Sequence, residues 1–279
     1  MVTKSDIKKY LRLNRFPHIW CAGCGNGIVL RGILQAIDDL SLDRNKVVMV
    51  SGIGCSSRMP GYVDFNTLHT AHGRAIAFAT GVKHANPELH VIVVTGDGDC
   101  AAIGGNHLIH GARRNIDMTV ITLNNSIYGM TSGQYSPLTP YGSFGTTAPY
   151  GNIEQAFDLC DLVSGSGATY VARTTSYHAA QIPKFVSEGI KNRGFSFIEV
   201  ILHCHTYYGR KNKLGGPVQM LEWQKEHAVP VSKKGTVDMT GKFYTGVIKH
   251  VEGPEYCQAY KELISATQRR GNVSVKRTL

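Results

Sequence analysis

The chain has 279 residues, of which 42% are hydrophobic and 18% charged. That is enough to bury a sizeable core as one large domain or two small ones, and it excludes a disordered chain. Thirty-one glycines without a G-X-Y period exclude collagen and point to tight turns and close backbone approaches.

The sequence holds no internal repeat and no low-complexity tract, and no apolar run is long enough to span a membrane. The opening segment MVTKSDIKKYLRLNRF is charged throughout, so it does not read as a secretory signal. Seven cysteines in such a chain lead to the expectation of a reducing, cytoplasmic compartment, with thiols as metal ligands or buried groups rather than disulfides. Thirty Lys and Arg against 20 Asp and Glu give a net charge of +10, and residues 205–279 carry 13 of the basic and 6 of the acidic residues. Such an excess fits a solvated face, an acidic protein partner or nucleic acid. The RNP, zinc-finger and helix-turn-helix signatures are missing, so no nucleic-acid partner is expected.

In chain order, the first helical pattern covers Gly25–Asp39, with Ile28, Leu30, Ile33, Leu34 and Ile37 on one face. The β-branched runs Lys46–Gly54, His90–Gly98, Met118–Asn125 and Phe195–Leu202, with a weaker one at Ala168–Arg173, read as strands buried on both faces. Between them, helices are expected over Gly73–His84, Gly104–Arg114, Ile153–Leu162 and Tyr177–Lys191, the last weakened by Pro183. Alternation at these lengths means right-handed βαβ units and a mostly parallel α/β sheet with helices on both faces. Ligands then sit beyond the carboxyl ends of the strands. Residues 1–204 form the expected domain. Residues 205–279, with turn signals and short amphipathic pieces at Val218–His227 and Pro254–Thr267, read as an extension packed on that domain or on a partner.

Two constellations carry chemistry. Asp97 lies in Gly96-Asp97-Gly98 at one strand end, and Asn124-Asn125 ends the next strand. A hard cation such as Mg²⁺ takes oxygen ligands and keeps phosphate oxygens and water. Asp97, the Asn125 amide oxygen and the Ile127 carbonyl would supply the protein's half. Flanking glycines let phosphate approach backbone N–H groups. Taken alone, each motif is only a turn; together at strand ends they resemble the metal-binding signature of thiamine diphosphate enzymes, with Gly129 and Met130 along the diphosphate. The second constellation is Cys21 and Cys24 in a C-x-x-C, with Cys55 and Cys204 each following a strand. Cys100 is too close to Asp97, Cys160 reads as a buried thiol, and Cys257 lies in the extension. Four thiolates suit a structural zinc or a [4Fe–4S] cluster, and a C-x-x-C alone also suits a redox pair. One close pair with two distant single cysteines favours the cluster.

Trp20-Cys-Ala-Gly-Cys-Gly25, Ile53-Gly-Cys-Ser-Ser57, Leu68-His-Thr-Ala-His-Gly-Arg74, Gly96-Asp-Gly-Asp99 and Leu123-Asn-Asn-Ser-Ile-Tyr-Gly-Met-Thr131 stand in this order. The chain thereby resembles the β subunits of 2-oxoacid:ferredoxin oxidoreductases from about His18 to Leu138, and more weakly around Cys204. Ala22 stands where family members often have Pro. The resemblance implies thiamine diphosphate, Mg²⁺ and a [4Fe–4S] cluster in this subunit. It implies Cys21, Cys24, Cys55 and Cys204 as cluster ligands, and Asp97, Asn125 and Ile127 as metal ligands. Ile53, Gly54, Cys55, Ser56, His72, Gly98, Asp99, Gly129 and Met130 become cofactor contacts. His72 is expected near the diphosphate or substrate, with His69 structural. Arg58, a cation directly after Cys55-Ser-Ser, is expected to meet a substrate carboxylate, which favours 2-oxoglutarate over pyruvate.

The implied reaction is coenzyme A-dependent oxidative decarboxylation of a 2-oxoacid, reversible as reductive carboxylation, with electrons leaving through the cluster to ferredoxin. No glutamate here stands out for the aminopyrimidine ring. The resemblance places that half in an α subunit, in an αβ unit paired as (αβ)₂. The competing expectations are a pyruvate-specific member, a non-redox thiamine decarboxylase or carboligase with structural zinc, and a non-catalytic zinc-bearing or nucleic-acid-binding module.

Overall fold

The computed structural model describes residues 6–274, with side chains as far as Arg269. The first helix, α1 (Asn26–Asp39), turns Val29, Leu30, Ile33, Leu34 and Ile37 inward, a stripe at three- and four-residue spacing. Then follow β1 (Val47–Ser51), β2 (Asn66–His69), α2 (Ala75–Ala85), β3 (His90–Gly96), α3 (Asp97–Ala101), α4 (Gly105–Arg113) and β4 (Met118–Asn124). A long irregular stretch leads to α5 (Leu159–Ser166), β5 (Tyr170–Thr175), α6 (Ile182–Lys191) and β6 (Phe195–Ile201). The extension supplies α7 (Pro217–His227), β7 (Ala228–Pro230), β8 (Phe243–His250) and α8 (Tyr256–Ser274).

The strands form a single sheet in the order β2-β1-β3-β4-β6-β5-β8-β7. All pairs are parallel except β5 with β8. Alternate strand residues feed two cores. Met49, Ile92, Val94, Ile121, Ile198 and Val200 pack under α1 and α6. Val48, Val50, Val91, Val93, Val120 and Phe197 pack under α2, α4 and α5. Burial on both faces explains why these strands read as continuous apolar runs. The α/β expectation therefore holds, with helices on both faces.

Two expectations need correction. No helix starts at Ile153: that residue and Phe157 are exposed, and α5 begins only at Leu159, capped by Asp158, whose carboxylate accepts the Asp161 N–H. The Tyr177–Lys191 helix begins instead at Ile182. Pro183 then sits in the first turn, where its missing N–H removes no helical bond. Residues 205–279 pack on the domain by joining its sheet, as β8 pairs with β5 around a bulge between Val171 and Ala172. Of the extension's basic residues, Arg270, Lys276 and Arg277 lie outside the described side chains.

A charged network is buried in this sheet. Arg173 and Glu199 face each other across β5 and β6. Arg173 donates Nε to Glu199 Oε2 at 2.6 Å and Nη2 to Asp158 at 2.5 Å. Glu199 Oε1 accepts the Asn124 side-chain amide at 2.8 Å, which fixes the end of β4. Removing one partner strands a buried charge, at a cost of about 3–5 kcal/mol. Arg173→Met is expected to lose that much stability in urea unfolding, and Arg173→Met with Glu199→Met to recover most of it. A double-variant loss equal to the Arg173→Met and Glu199→Met losses added together would show the pair to be uncoupled.

Candidate active site at the strand ends

β1, β3, β4 and β6 are neighbours in the sheet, and each ends in residues with chemistry: Ile53–Ser56, Asp97, Asn125 and Cys204. The connection after β1 runs outward to β2, and the one after β2 returns past β1 to β3. This reversal opens a crevice at the carboxyl ends.

A cavity of about 100 Å³ lies there. It is lined by Ile53, Gly54, Cys55 and Ser56, by His72, by Asp97, Gly98 and Asp99, and by Asn125, Ile127, Gly129 and Met130. Asp97 opens α3 and is buried. Its Oδ2 accepts the Ser136 hydroxyl at 2.5 Å. Burial pushes its pKa up to about 7, against the hydrogen bonds from Ser136 and from the Gly98 and Ile127 amides. A cation at this position would reverse that shift. Asn125 Oδ1 accepts the same Ile127 N–H at 3.3 Å, so both side chains gather at one turn. Asn124 is a structural residue: it bonds Glu199 and accepts the Ser126 N–H.

Asp99 is among the expected cofactor contacts. It lines the cavity, but its buried carboxylate is taken up by the protein. Oδ1 accepts the N–H groups of Ile53 at 3.2 Å and Gly73 at 2.6 Å, and the His72 ring at 2.5 Å. Oδ2 accepts the Thr95 hydroxyl at 2.8 Å. It is a clamp that joins two loops to β3 and holds the half-exposed His72 ring at the rim. His69 bonds Ser51 through its ring, as a structural histidine would. A side chain on Gly98 would drive a Cβ to 2.2 Å from the Tyr128 ring, so only glycine allows that approach. Arg58 stands apart: it is exposed on the turn Ser56–Gly61 and lines neither this cavity nor the next.

The second cavity, about 230 Å³, adjoins the first and is lined by Cys21, Cys24, Cys55 and Cys204 together. Cys55, Asn125, Gly129, Met130 and Asn26 line both. A Cβ on Gly129 would lie 3.5 Å from Cys204 Sγ and 3.7 Å from Cys55 Sγ, so the missing side chain opens the space between the two sulfurs. The C-x-x-C loop is fixed from outside. His203 Nε2 donates to the Gly23 carbonyl at 2.7 Å, and Trp20 Nε1 donates to the Cys55 carbonyl at 2.7 Å. Burial, with the neighbouring Cys24, Cys204 and Cys21, pushes the Cys55 thiol up to about 12. Burial raises Cys24 and Cys204 as well.

Among the described residues, no three His, Cys, Asp or Glu side chains stand close enough to hold a single metal ion. Four cysteines spread around one cavity suit a multi-iron cluster, whose ligands bind different irons, better than a tetrahedral zinc. Cys100, Cys160 and Cys257 are buried elsewhere in the second core.

Sequence reasoning missed three residues. Asn26 follows the C-x-x-C-G directly and is buried at the start of α1. Tyr128 donates its hydroxyl to the Gly98 carbonyl at 3.2 Å. Ser136 reaches Asp97 from the long loop, where no spacing marks it.

Residues 52–200 match the family described as thiamine pyrophosphate enzyme, C-terminal TPP binding domain. The 2-oxoglutarate synthase subunit KorB of Methanothermobacter marburgensis is 53% identical over 277 residues, 98% of this chain and 96% of that protein. The 2-oxoacid:ferredoxin oxidoreductase subunit beta of Saccharolobus solfataricus is 44% identical over 67% of this chain and 62% of its own length. Among solved structures, 2-oxoglutarate:ferredoxin oxidoreductase from Magnetococcus marinus, with 2-oxoglutarate, coenzyme A and succinyl-CoA bound, aligns with a TM-score of 0.85 and 33% identity. It covers 96% of this chain and 92% of that one. Thiamine-binding strand ends beside a four-cysteine cavity, together with relatives matched along almost the whole sequence, assign the chain to the β subunits of the 2-oxoacid:ferredoxin oxidoreductases.

Proposed function

We propose that this chain is the cofactor-bearing half of a coenzyme A-dependent 2-oxoglutarate:ferredoxin oxidoreductase. The observation that carries this reading is the wall of Cys55, Asn125, Gly129 and Met130 shared by the two cavities. It sets a thiamine site and an iron–sulfur site one residue layer apart. Relatives 46–56% identical bear the 2-oxoglutarate synthase name, which favours that substrate over pyruvate.

In this reading Asp97, Asn125 and the Ile127 carbonyl hold Mg²⁺, and Gly98, Gly129 and Met130 line the diphosphate. Cys21, Cys24, Cys55 and Cys204 hold a [4Fe–4S] cluster. When bound, thiamine diphosphate supplies the electron sink for loss of CO₂. The chain's own residues do the rest. Ser136 and two backbone amides orient the Asp97 carboxylate. Asp99 fixes His72 through Nδ1, leaving Nε2 free to hold or move a proton at the rim. Cys55 lines both sites and would bind iron in one of them, which shortens the path for electrons. The acyl group passes to coenzyme A and the electrons to ferredoxin, whose acidic surface the basic 205–279 segment suits.

No glutamate lines the thiamine cavity among the described residues. An α subunit therefore completes the site, in an αβ unit paired as (αβ)₂. The free thiols of all seven cysteines fit a reducing, cytoplasmic setting.

Three outcomes test this reading. The αβ enzyme should be brown, bleach with dithionite, and reduce methyl viologen with 2-oxoglutarate and coenzyme A, whereas the isolated β chain should show no turnover. A colourless protein with stoichiometric zinc would support the non-redox rival. Asp97→Asn removes the carboxylate ligand, and Mg²⁺-dependent thiamine diphosphate affinity is expected to fall at least ~100-fold by calorimetry. An unchanged affinity would remove Asp97 from the metal site. Arg58, exposed outside both cavities, reaches a substrate carboxylate only at the mouth of the assembled enzyme. Arg58→Ala is expected to raise KM for 2-oxoglutarate roughly tenfold, the worth of one charged hydrogen bond, with pyruvate unaffected. An equal effect on both substrates would return Arg58 to the solvated surface.

A further inference from the structure

Asn26 is the first residue of α1, two positions after Cys24, and it is 1% exposed. Gly25 occupies the cap position and no side chain caps this helix, so capping does not explain the asparagine. Its Nδ2 donates to Cys24 Sγ at 2.9 Å. Its Oδ1 is buried with no hydrogen-bond partner among the described residues. The same side chain lines both the thiamine cavity and the cysteine cavity. A buried amide that gives its one hydrogen bond to a thiol and leaves its oxygen unsatisfied is costly as mere packing. It is explained if the sulfur is a cluster ligand and the oxygen is an acceptor left for the occupants of the cavities.

We propose that Asn26 is a positioning residue that raises the reduction potential of the cluster by hydrogen-bonding the Cys24 sulfur. This rests on the reading of the four cysteines as cluster ligands. When the oxidised cluster takes up one electron, negative charge spreads onto its sulfurs. An N–H donor aimed at Cys24 Sγ stabilises that added charge more than the oxidised state. The electron is therefore accepted more readily from the thiamine side, and it leaves for ferredoxin from a less reducing cluster.

The test is an anaerobic redox titration of the αβ enzyme, followed by the paramagnetic resonance signal of the reduced cluster. Asn26→Leu removes the donor, and Asn26→Asp replaces it with a charge in the same shape. At the wild-type midpoint, the reduced-to-oxidised ratio is expected to fall about tenfold in Asn26→Leu, equivalent to 59 mV for one electron. It should fall further in Asn26→Asp. Iron and sulfide content unchanged from wild type would make this a loss of tuning rather than of the cluster. Full clusters with wild-type midpoints in both variants would overturn the proposal. If Asn26→Leu assembles no cluster, the Asn26→Asp midpoint decides. If neither variant assembles one, Asn26 is needed for assembly and the tuning proposal falls. Wild-type enzyme without iron would refute the cluster itself, a different result from a cluster whose potential ignores Asn26.

Discussion

Cys55 belongs to two cavities at once, and that is the constraint the rest of the site obeys. It lines the thiamine cavity, while its thiol neighbours Cys21, Cys24 and Cys204 around the next. A residue can serve both sides only if the intervening wall is one side chain thick. Gly129 meets that demand by having none, since a Cβ there would lie against the Cys55 and Cys204 sulfurs. The parallel sheet sets the geometry. β1, β3, β4 and β6 lie side by side, so their ends deliver residues from four distant stretches of sequence to one line.

Holding that line requires buried charge, which is stable only when fully bonded. Asp99 meets the requirement with four donors from two loops and strand β3. Gly52 must stay without a side chain because a Cβ there would collide with the same carboxylate. On the other side of β4, Glu199 and Arg173 neutralise each other and pin Asn124, leaving Asn125 to face the cavity. The two asparagines of one motif thus divide into a structural and a site residue. The division is set by strand alternation, which sends successive side chains to opposite sides.

What the sequence made legible follows the same physics. Strands buried on both faces leave continuous apolar runs, so β1, β3, β4 and β6 could be read directly, and their ends located the site. The outer strands leave no such mark. β2 has no buried residue, and β8, with Gly246 at φ 115, buries only Thr245. The expected helix at Ile153 failed because apolar spacing says nothing about whether a core is present to receive it. Asp97 and Asn125 were legible because glycines and a doubled amide surround them. Ser136 and Asn26 were not, since each acts through one hydrogen bond that the fold alone brings into range.

The lip of the thiamine cavity bears on the partner. Ile53 and Met130 are 40% and 43% exposed there, large apolar groups beside a buried carboxylate. Catalysis that develops charge in a cavity gains from excluding water. A site with an open apolar lip does not exclude it, and no glutamate of this chain reaches the cavity among the described residues. In the proposed reading, a second subunit closing over Ile53 and Met130 and bringing a carboxylate would answer both deficits. The exposed apolar groups at the mouth would then belong to the active site's design rather than be a flaw in the fold.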